Sequence, residues 1–296
     1  MFCSYFSLQP LPASLQTLCL YVQFLSRSMV PPSIRNYLSG VKHMHVVLGY
    51  EFPYSSNLVL KLVFRGIERL HPHVPQRAPP ILPEHLLAIS CILDWHDLSQ
   101  VTTFTIALFL FLTLSRLGNI LPSSHSKFSR KLHLCFSDVS VSSFGLLIKF
   151  RHTKTIQLGK RQLLVPVLRV NGSRLCLTSS FEHMLNLFHI NNIFPGPKSS
   201  PFLHFHNCKL VSVTKQSFIT QFLSLLQTAG VANSSQYRGH SFRRGGASHA
   251  FRAGLPCEII KVYGDWKSEA YQVYLDISLE TKLSYALCIS SALSTL

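Results

Sequence analysis

Five prolines fall within fourteen residues between His71 and Glu84 (HPHVPQRAPPILPE), and this run constrains the fold more than any other feature of the chain. Proline has no backbone N–H to donate and its ring clashes with the preceding helical turn, so neither a helix nor a central strand continues through such a run. The chain is therefore expected to divide near residue 80, and we assign residues 1–75 and 76–296 to separate regions. From Ser14 to about Leu70 the pattern is helical: Ile34, Tyr37, Leu38, Val41 and Met44 recur at three- and four-residue spacing after a Pro31-Pro32-Ser33 start.

Beyond the prolines, helices are predicted at 84–95 and about 98–115. The second contains the apolar run Phe104 to Leu114, interrupted only by Thr105 and Thr113. That run falls short of the ~20 residues a bilayer crossing needs, so it reads as a buried helix. The runs GLLIKFRH and RQLLVPVL flank the polar HTKTIQLGK and predict a flexible β-hairpin carrying Lys154. Helical patterns return at about 178–190, 214–229, 244–253, 256–263 and 268–290. The expected class is α+β: a small all-α N-terminal region, then a mainly α domain with a small antiparallel β-sheet.

Residues 98–257 carry eighteen Lys and Arg against two acidic residues, Asp138 and Glu182, and hold the whole surplus of a chain whose formal charge is +16. A short basic run is ordinarily a solvated face. An imbalance over 160 residues points instead to a polyanion, and nucleic acid is the expected partner, which the resemblance given below narrows to double-stranded DNA. A membrane surface fits less well, because the charges do not line one face of an amphipathic helix. Met1 to Pro10 lack the basic and apolar regions of a secretion signal, so an intracellular protein is expected. The eight cysteines form no C-x-x-C pair. His204, His206 and Cys208 alternate with other residues as in a strand or loop, so neither a metal nor a cofactor is expected.

The most specific passage runs from Gly239 to Tyr274, GHSFRRGGASHAFRAGLPCEIIKVYGDWKSEAYQVY. His240 and Arg243 form an H-x-x-R unit at a helix start, and Trp266 stands eight residues before Tyr274. This passage resembles the C-terminal signature of the tyrosine recombinases and phage integrases. HSFRRGGASHA with GDWKS is most similar to recombinases of eukaryotic mobile elements, the Crypton and DIRS-like kinds. The resemblance covers about residues 15–290.

That resemblance implies six site residues. Arg116 in TLSRLGNIL is the first arginine; Lys154 in HTKTIQLGKRQLLVPV is the hairpin lysine, with Lys149 and Lys160 competing for the role; His240 and Arg243 are the H-x-x-R pair; Trp266 fills a His or Trp position; Tyr274 is the nucleophile. Taken singly, each has an ordinary structural role, as a helix cap, a solvated lysine, a core indole or a packed ring. Their order and spacing together carry the assignment. The implied reaction is metal-independent DNA cleavage and rejoining through a 3′-phosphotyrosyl link, with the arginines on the nonbridging oxygens, His240 as base and Lys154 as acid.

Two departures stand out. Arg116-Leu117-Gly118-Asn119 replaces the family's R-x-S-E, and Gly264-Asp265-Trp266 replaces G-H with one residue inserted. The resemblance further implies that residues 1–75 are a short SAM-like core-binding region lacking its first helix. It also implies that a tail with Ile277, Leu283, Leu287 and Ile289 docks on a neighbour in a homotetramer on DNA, and that the site of action is the nucleus in a eukaryote or otherwise the cytoplasm. The alternative reading is a cleavage-dead DNA-binding protein descended from such an enzyme. A basic RNA-binding protein leaves the GDWKSEAYQVY spacing unexplained.

Overall fold

A computed structural model of the 296-residue chain describes residues 1–53, 58–73, 76–157, 161–206 and 209–274, with 283, 286, 287, 290 and 291. Two compact units are present, Met1–Arg77 and Ala78–Leu296. The first holds α1 (Phe2–Tyr5), α2 (Leu15–Ser26), α3 (Pro31–Val47) and α4 (Leu58–Leu70). Ser14 caps α2 by accepting from Thr17 N–H at 3.1 Å, and Pro31 opens α3, where a missing N–H costs nothing. Leu18, Val22, Ile34, Leu38, Leu60 and Phe64 form the core of this unit. His45 is wholly buried there, its Nε2 accepting from Ala13 N–H at 2.9 Å and its Nδ1 donating to Val41 O at 2.8 Å.

The second unit runs α5 (Pro83–Ile92), α6 (Leu98–Thr113), α7 (Leu117–Ile120), β1 (Val139–Ser142), β2 (Gly145–Phe150), β3 (Leu163–Leu168), α8 (Leu177–Ile190), β4 (Leu203–His206), β5 (Lys209–Ser212), α9 (Lys215–Thr228), α10 (Gly239–Arg252) and α11 (Cys257–Tyr263). A 3₁₀ helix, Glu269–Tyr274, follows. Helix α6 is the axis. Asp97 caps its start by accepting from Ser99 and Gln100 N–H, and it is buried on all sides from Val101 to Phe111. Its threonines are accommodated by bonding back along the helix: Thr105 Oγ1 donates to Val101 O at 2.8 Å and Thr113 Oγ1 to Phe109 O at 2.7 Å. No described helix is long and apolar enough to cross a membrane.

Strands β1, β2 and β3 form an antiparallel sheet with β2 central, in a register that pairs Val139 with Ile148 and Ile148 with Val165. Leu146, Ile148 and Phe150 turn the same face of β2 into the core, as the period-two geometry of a strand requires. The GLLIKFRH and RQLLVPVL runs are thus strands. The sequence reading missed β1, whose VSVS is too short and polar to signal, and β5; of the strand or loop expected around His204 and His206, it is a strand, β4, that forms.

Two expectations are corrected. The proline run is not free linker to Glu84: Ile81 is wholly buried and its N–H donates to Ser241 O at 2.9 Å, so residues 78–82 are strapped onto α10. The helix expected at 268–290 begins instead as the 3₁₀ segment Glu269–Tyr274. Of the tail residues, Ile277 and Ile289 lie outside the described residues, and Leu283 and Leu287 are exposed.

Candidate active site

Helix α6 stops because Leu114 takes the left-handed conformation, φ 51°, which costs an L-residue roughly 1–2 kcal/mol. The resulting turn buries Ser115, whose Oγ lies in hydrogen-bond contact with Thr113 Oγ1 at 2.8 Å, and delivers Arg116 to the N-cap of α7. Arg116 lines a cleft of about 600 Å³. Its Nη1 is buried and has no hydrogen-bond partner among the described residues. A buried cationic donor without an acceptor is costly, and it suits a group whose acceptor arrives with an anionic ligand.

Helix α10 brings His240 and Arg243, one turn apart and on one face, to the same cleft. Two glycines set how closely it can approach. A Cβ on Gly245 would stand 1.8 Å from Ile81 O, and one on Gly246 would stand 2.1 Å from Phe111 O. At this distance Arg243, only 2% exposed, donates from Nη1 to Leu114 O at 2.6 Å and from Nη2 to Gly264 O at 2.5 Å. Both carbonyls end helices, α6 and α11, where unpaired C=O groups and the dipole favour a cation. The Trp266 indole packs on the same guanidinium, 3.7 Å from ring centroid to Cζ. Trp266 is itself nearly buried, so it supports Arg243 by its face.

His240 keeps one edge in solvent at the mouth of the cleft. Partial burial against the cleft wall, with repulsion from Arg243 and Arg116, holds its pKa below the ordinary 6.5, so the imidazole is neutral at pH 7.

Lys154 occupies the first corner of a tight turn. Thr153 and Ile156 exchange backbone bonds, Ile156 N–H to Thr153 O at 3.2 Å and Thr153 N–H to Ile156 O at 3.1 Å. Both end residues are buried, and Lys154 is exposed between them, facing the cleft. Of its competitors, Lys149 lines a separate depression with Arg130, Arg151 and Lys198, and Lys160 lies outside the described residues.

Tyr274 closes the 3₁₀ segment, and its side chain lies outside the described residues. Tyr271 is buried beside Trp266, ring centroids 6.0 Å apart. Burial and the Glu269 carboxylate push its hydroxyl up to about 12. A phenol held so firmly protonated is poorly suited to attack.

Arg116, Lys154, His240 and Arg243 thus share one cleft, while Trp266 stands behind Arg243. Three lining residues escaped the sequence reading: Lys215, His133 and His152. Lys215 opens α9, where a cation opposes the helix dipole, and that mismatch was the available signal. His133 has no distinguishing spacing. Its Nδ1 accepts from Ser129 N–H at 3.0 Å, and burial, followed by repulsion from Lys215 and His152, keeps it neutral. Among the described residues no group of three or more His, Cys, Asp or Glu could hold a metal. Cys208, expected beside His204 and His206, lies outside them. Permanent cations, neutral imidazoles and a buried unsatisfied guanidinium N–H together make a receptor for a phosphate diester.

No protein-family model matches the chain. It is 20% identical over 270 residues to an integrase/recombinase xerD homolog of Selenomonas ruminantium, covering 90% of this chain and 74% of that protein. Among solved structures it is similar to the XerH site-specific recombinase bound to a palindromic difH substrate in a post-cleavage complex, with TM-score 0.61 and 14% identity over 98% of this chain and 77% of that one. The Tn1549 transposon integrase in complex with circular intermediate DNA gives TM-score 0.56 and 12% identity over 95% and 87%. A lambda integrase dimer bound to a COC′ core site gives 0.51 and 12% over 90% and 82%. The fold, mostly helical with small antiparallel sheets, is that of the tyrosine-recombinase catalytic domain.

Proposed function

We infer that the chain is a tyrosine-type DNA strand transferase, a site-specific recombinase or integrase that cleaves and rejoins DNA through a 3′-phosphotyrosyl intermediate. The observation that carries this reading is the convergence of Arg116, Lys154, His240 and Arg243 on one cleft of a fold seen elsewhere in recombinases.

In this reading the scissile phosphate seats its nonbridging oxygens on Arg116 and Arg243. Arg243 is held in advance by two carbonyls and an indole, so its donors need no reorganisation as charge builds in the pentacoordinate transition state. Tyr274 Oη attacks phosphorus as its proton passes to neutral His240. The P–O5′ bond breaks, and Lys154 supplies the proton that the departing oxygen needs. The products are a 3′-phosphotyrosyl ester and a free 5′-hydroxyl, and a second 5′-hydroxyl reverses the steps to rejoin strands. Arginines supply the charge stabilisation, so the reaction needs no metal.

Residues 1–77 would clamp the far face of the DNA as a core-binding region, and residues 275–296 would link neighbouring subunits in a tetramer. The HSFRRGGASHA and GDWKS wording favours a mobile-element recombinase of the Crypton or DIRS-like kind, acting in the nucleus of a eukaryote. The test is incubation with a pool of nicked duplexes of randomised sequence, followed by a denaturing gel. A DNA–protein adduct lost in Tyr274→Phe is expected. DNA binding with no adduct from any duplex would instead support a cleavage-dead DNA-binding protein.

A further inference from the structure

Asp265 is the inserted residue when GDW is set beside G-H, yet it is 5% exposed and takes the left-handed conformation, φ 53°. Asp is among the few residues that adopt this backbone readily. The conformation turns its carboxylate away from α11 and into the base of the turn that carries Lys154. There Oδ2 accepts from the hydroxyls of Thr153 and Thr155, the residues on either side of Lys154, and Oδ1 accepts from Arg161 just beyond the turn. Thr153 Oγ1 in turn accepts from Thr155 N–H at 3.1 Å and Ile156 N–H at 3.0 Å, so the carboxylate fixes the hydroxyl that fixes the turn. The pairs Arg151–Asp138, Arg169–Glu182 and Lys261–Glu269 in the same unit do not involve this turn.

We propose that Asp265 is a positioning residue for Lys154: a single buried carboxylate clamps the lysine turn from both sides and holds its ammonium at the cleft. This rests on the strand-transferase reading above. A flexible hairpin was the expectation from sequence, whereas this arrangement makes the acid a placed group. It also ties that placement to Trp266, the next residue, which packs on Arg243. The leaving-group acid and the phosphate-gripping arginine are thereby registered to one another through adjacent residues.

Asparagine tests this without disturbing the backbone, since it also tolerates the left-handed conformation. Its amide oxygen can accept from one side only, and its NH₂ opposes donors on the other. The experiment compares single-turnover cleavage of a nicked duplex selected by the wild-type chain, made with oxygen or with sulfur at the bridging 5′ position. A thiolate leaves without protonation, so sulfur reports specifically on loss of the acid. Asp265→Asn is expected to slow cleavage of the oxygen substrate about 10²-fold, as a misplacement of about 1 Å does, and to cut the sulfur substrate at near wild-type rate, as Lys154→Ala does. Arg243→Ala should be slow on both.

If Asp265→Asn is equally slow on both substrates while Lys154→Ala is rescued, Asp265 acts through general structure and the proposal fails. If Lys154→Ala is not rescued either, the reading of Lys154 as acid is what fails. Hydrogen exchange of the same proteins without DNA is an independent check. Peptides covering 150–157 should exchange about ten-fold faster in Asp265→Asn, with α6 unchanged, and equal exchange at 150–157 would overturn the clamp even if no duplex is ever cut.

Discussion

Arg243 places its Cζ over the indole of Trp266, 3.7 Å from the ring centroid, while its Nη1 and Nη2 donate to the end carbonyls of two different helices. Planarity and a fixed fork of donors are what this geometry uses, and lysine has neither. Arg243→Lys should therefore lower single-turnover cleavage about 10²–10³-fold, despite its retained charge. Trp266→Phe keeps a face for the guanidinium and should cost far less activity than Trp266→Ala. The alanine variant should also lose about 3–5 kcal/mol of stability in urea denaturation, as truncation of a buried ring does. Equal activity in the phenylalanine and alanine variants would show that the stack is incidental.

Tyr271 and Tyr274 are separable by their surroundings. Tyr271 is buried with its hydroxyl raised to about 12, so Tyr271→Phe should still form the covalent adduct with DNA. Tyr274→Phe should form none while binding the same duplex. An adduct from the second variant but not the first would reverse the assignment.

The acid limb of the pH profile follows from His240. Burial and the two arginines lower its pKa, so the base proposed above stays neutral below the ordinary value of 6.5 and is lost only as pH falls through the lowered one. At limiting DNA, the midpoint of the acid decline in cleavage should fall below pH 6.5. Arg116→Ala removes part of the repulsion and should move that decline upward. A midpoint above 6.5 in the unsubstituted chain would remove His240 from the role of base.

Chelation distinguishes arginine-based from metal-based stabilisation of the transition state. The groups that line the cleft around Arg116 and Arg243 include Lys154 and Lys215, all repelling a divalent cation. Cleavage should be unchanged in excess EDTA. Loss that magnesium restores would indicate a nuclease-like mechanism.

Eighteen basic residues against two acidic ones between 98 and 257 predict electrostatic binding. The logarithm of DNA affinity should fall linearly with the logarithm of salt concentration, at about 0.9 per phosphate neutralised. Affinity independent of salt would contradict a phosphate footprint.

Much of this arrangement was legible because local rules and tertiary packing agree. The run FTIALFLFLT can satisfy itself only as a buried helix, and α6 is that helix. The two β-prone runs lie where β2 and β3 form. What sequence could not reveal depends on contacts distant along the chain. Asp265 looks like an insertion until Thr153 and Thr155 are seen to meet it. Lys215 and His133 reach the cleft only because α9 and the segment before β1 pass beside it. The second half of the proline run reads as linker because nothing local announces that Ile81 pairs with Ser241.

The closeness of α10 to its neighbours also bears on the history of the gene. Every single-nucleotide missense change in a glycine codon adds at least a Cβ, and at Gly245 and Gly246 that atom would collide with backbone carbonyls, which cannot rotate aside. A copy freed from selection meets no such barrier and accumulates changes there as readily as anywhere. These two codons, compared across homologous genes, therefore separate lineages still selected for this fold from those already drifting, without any assay of cleavage.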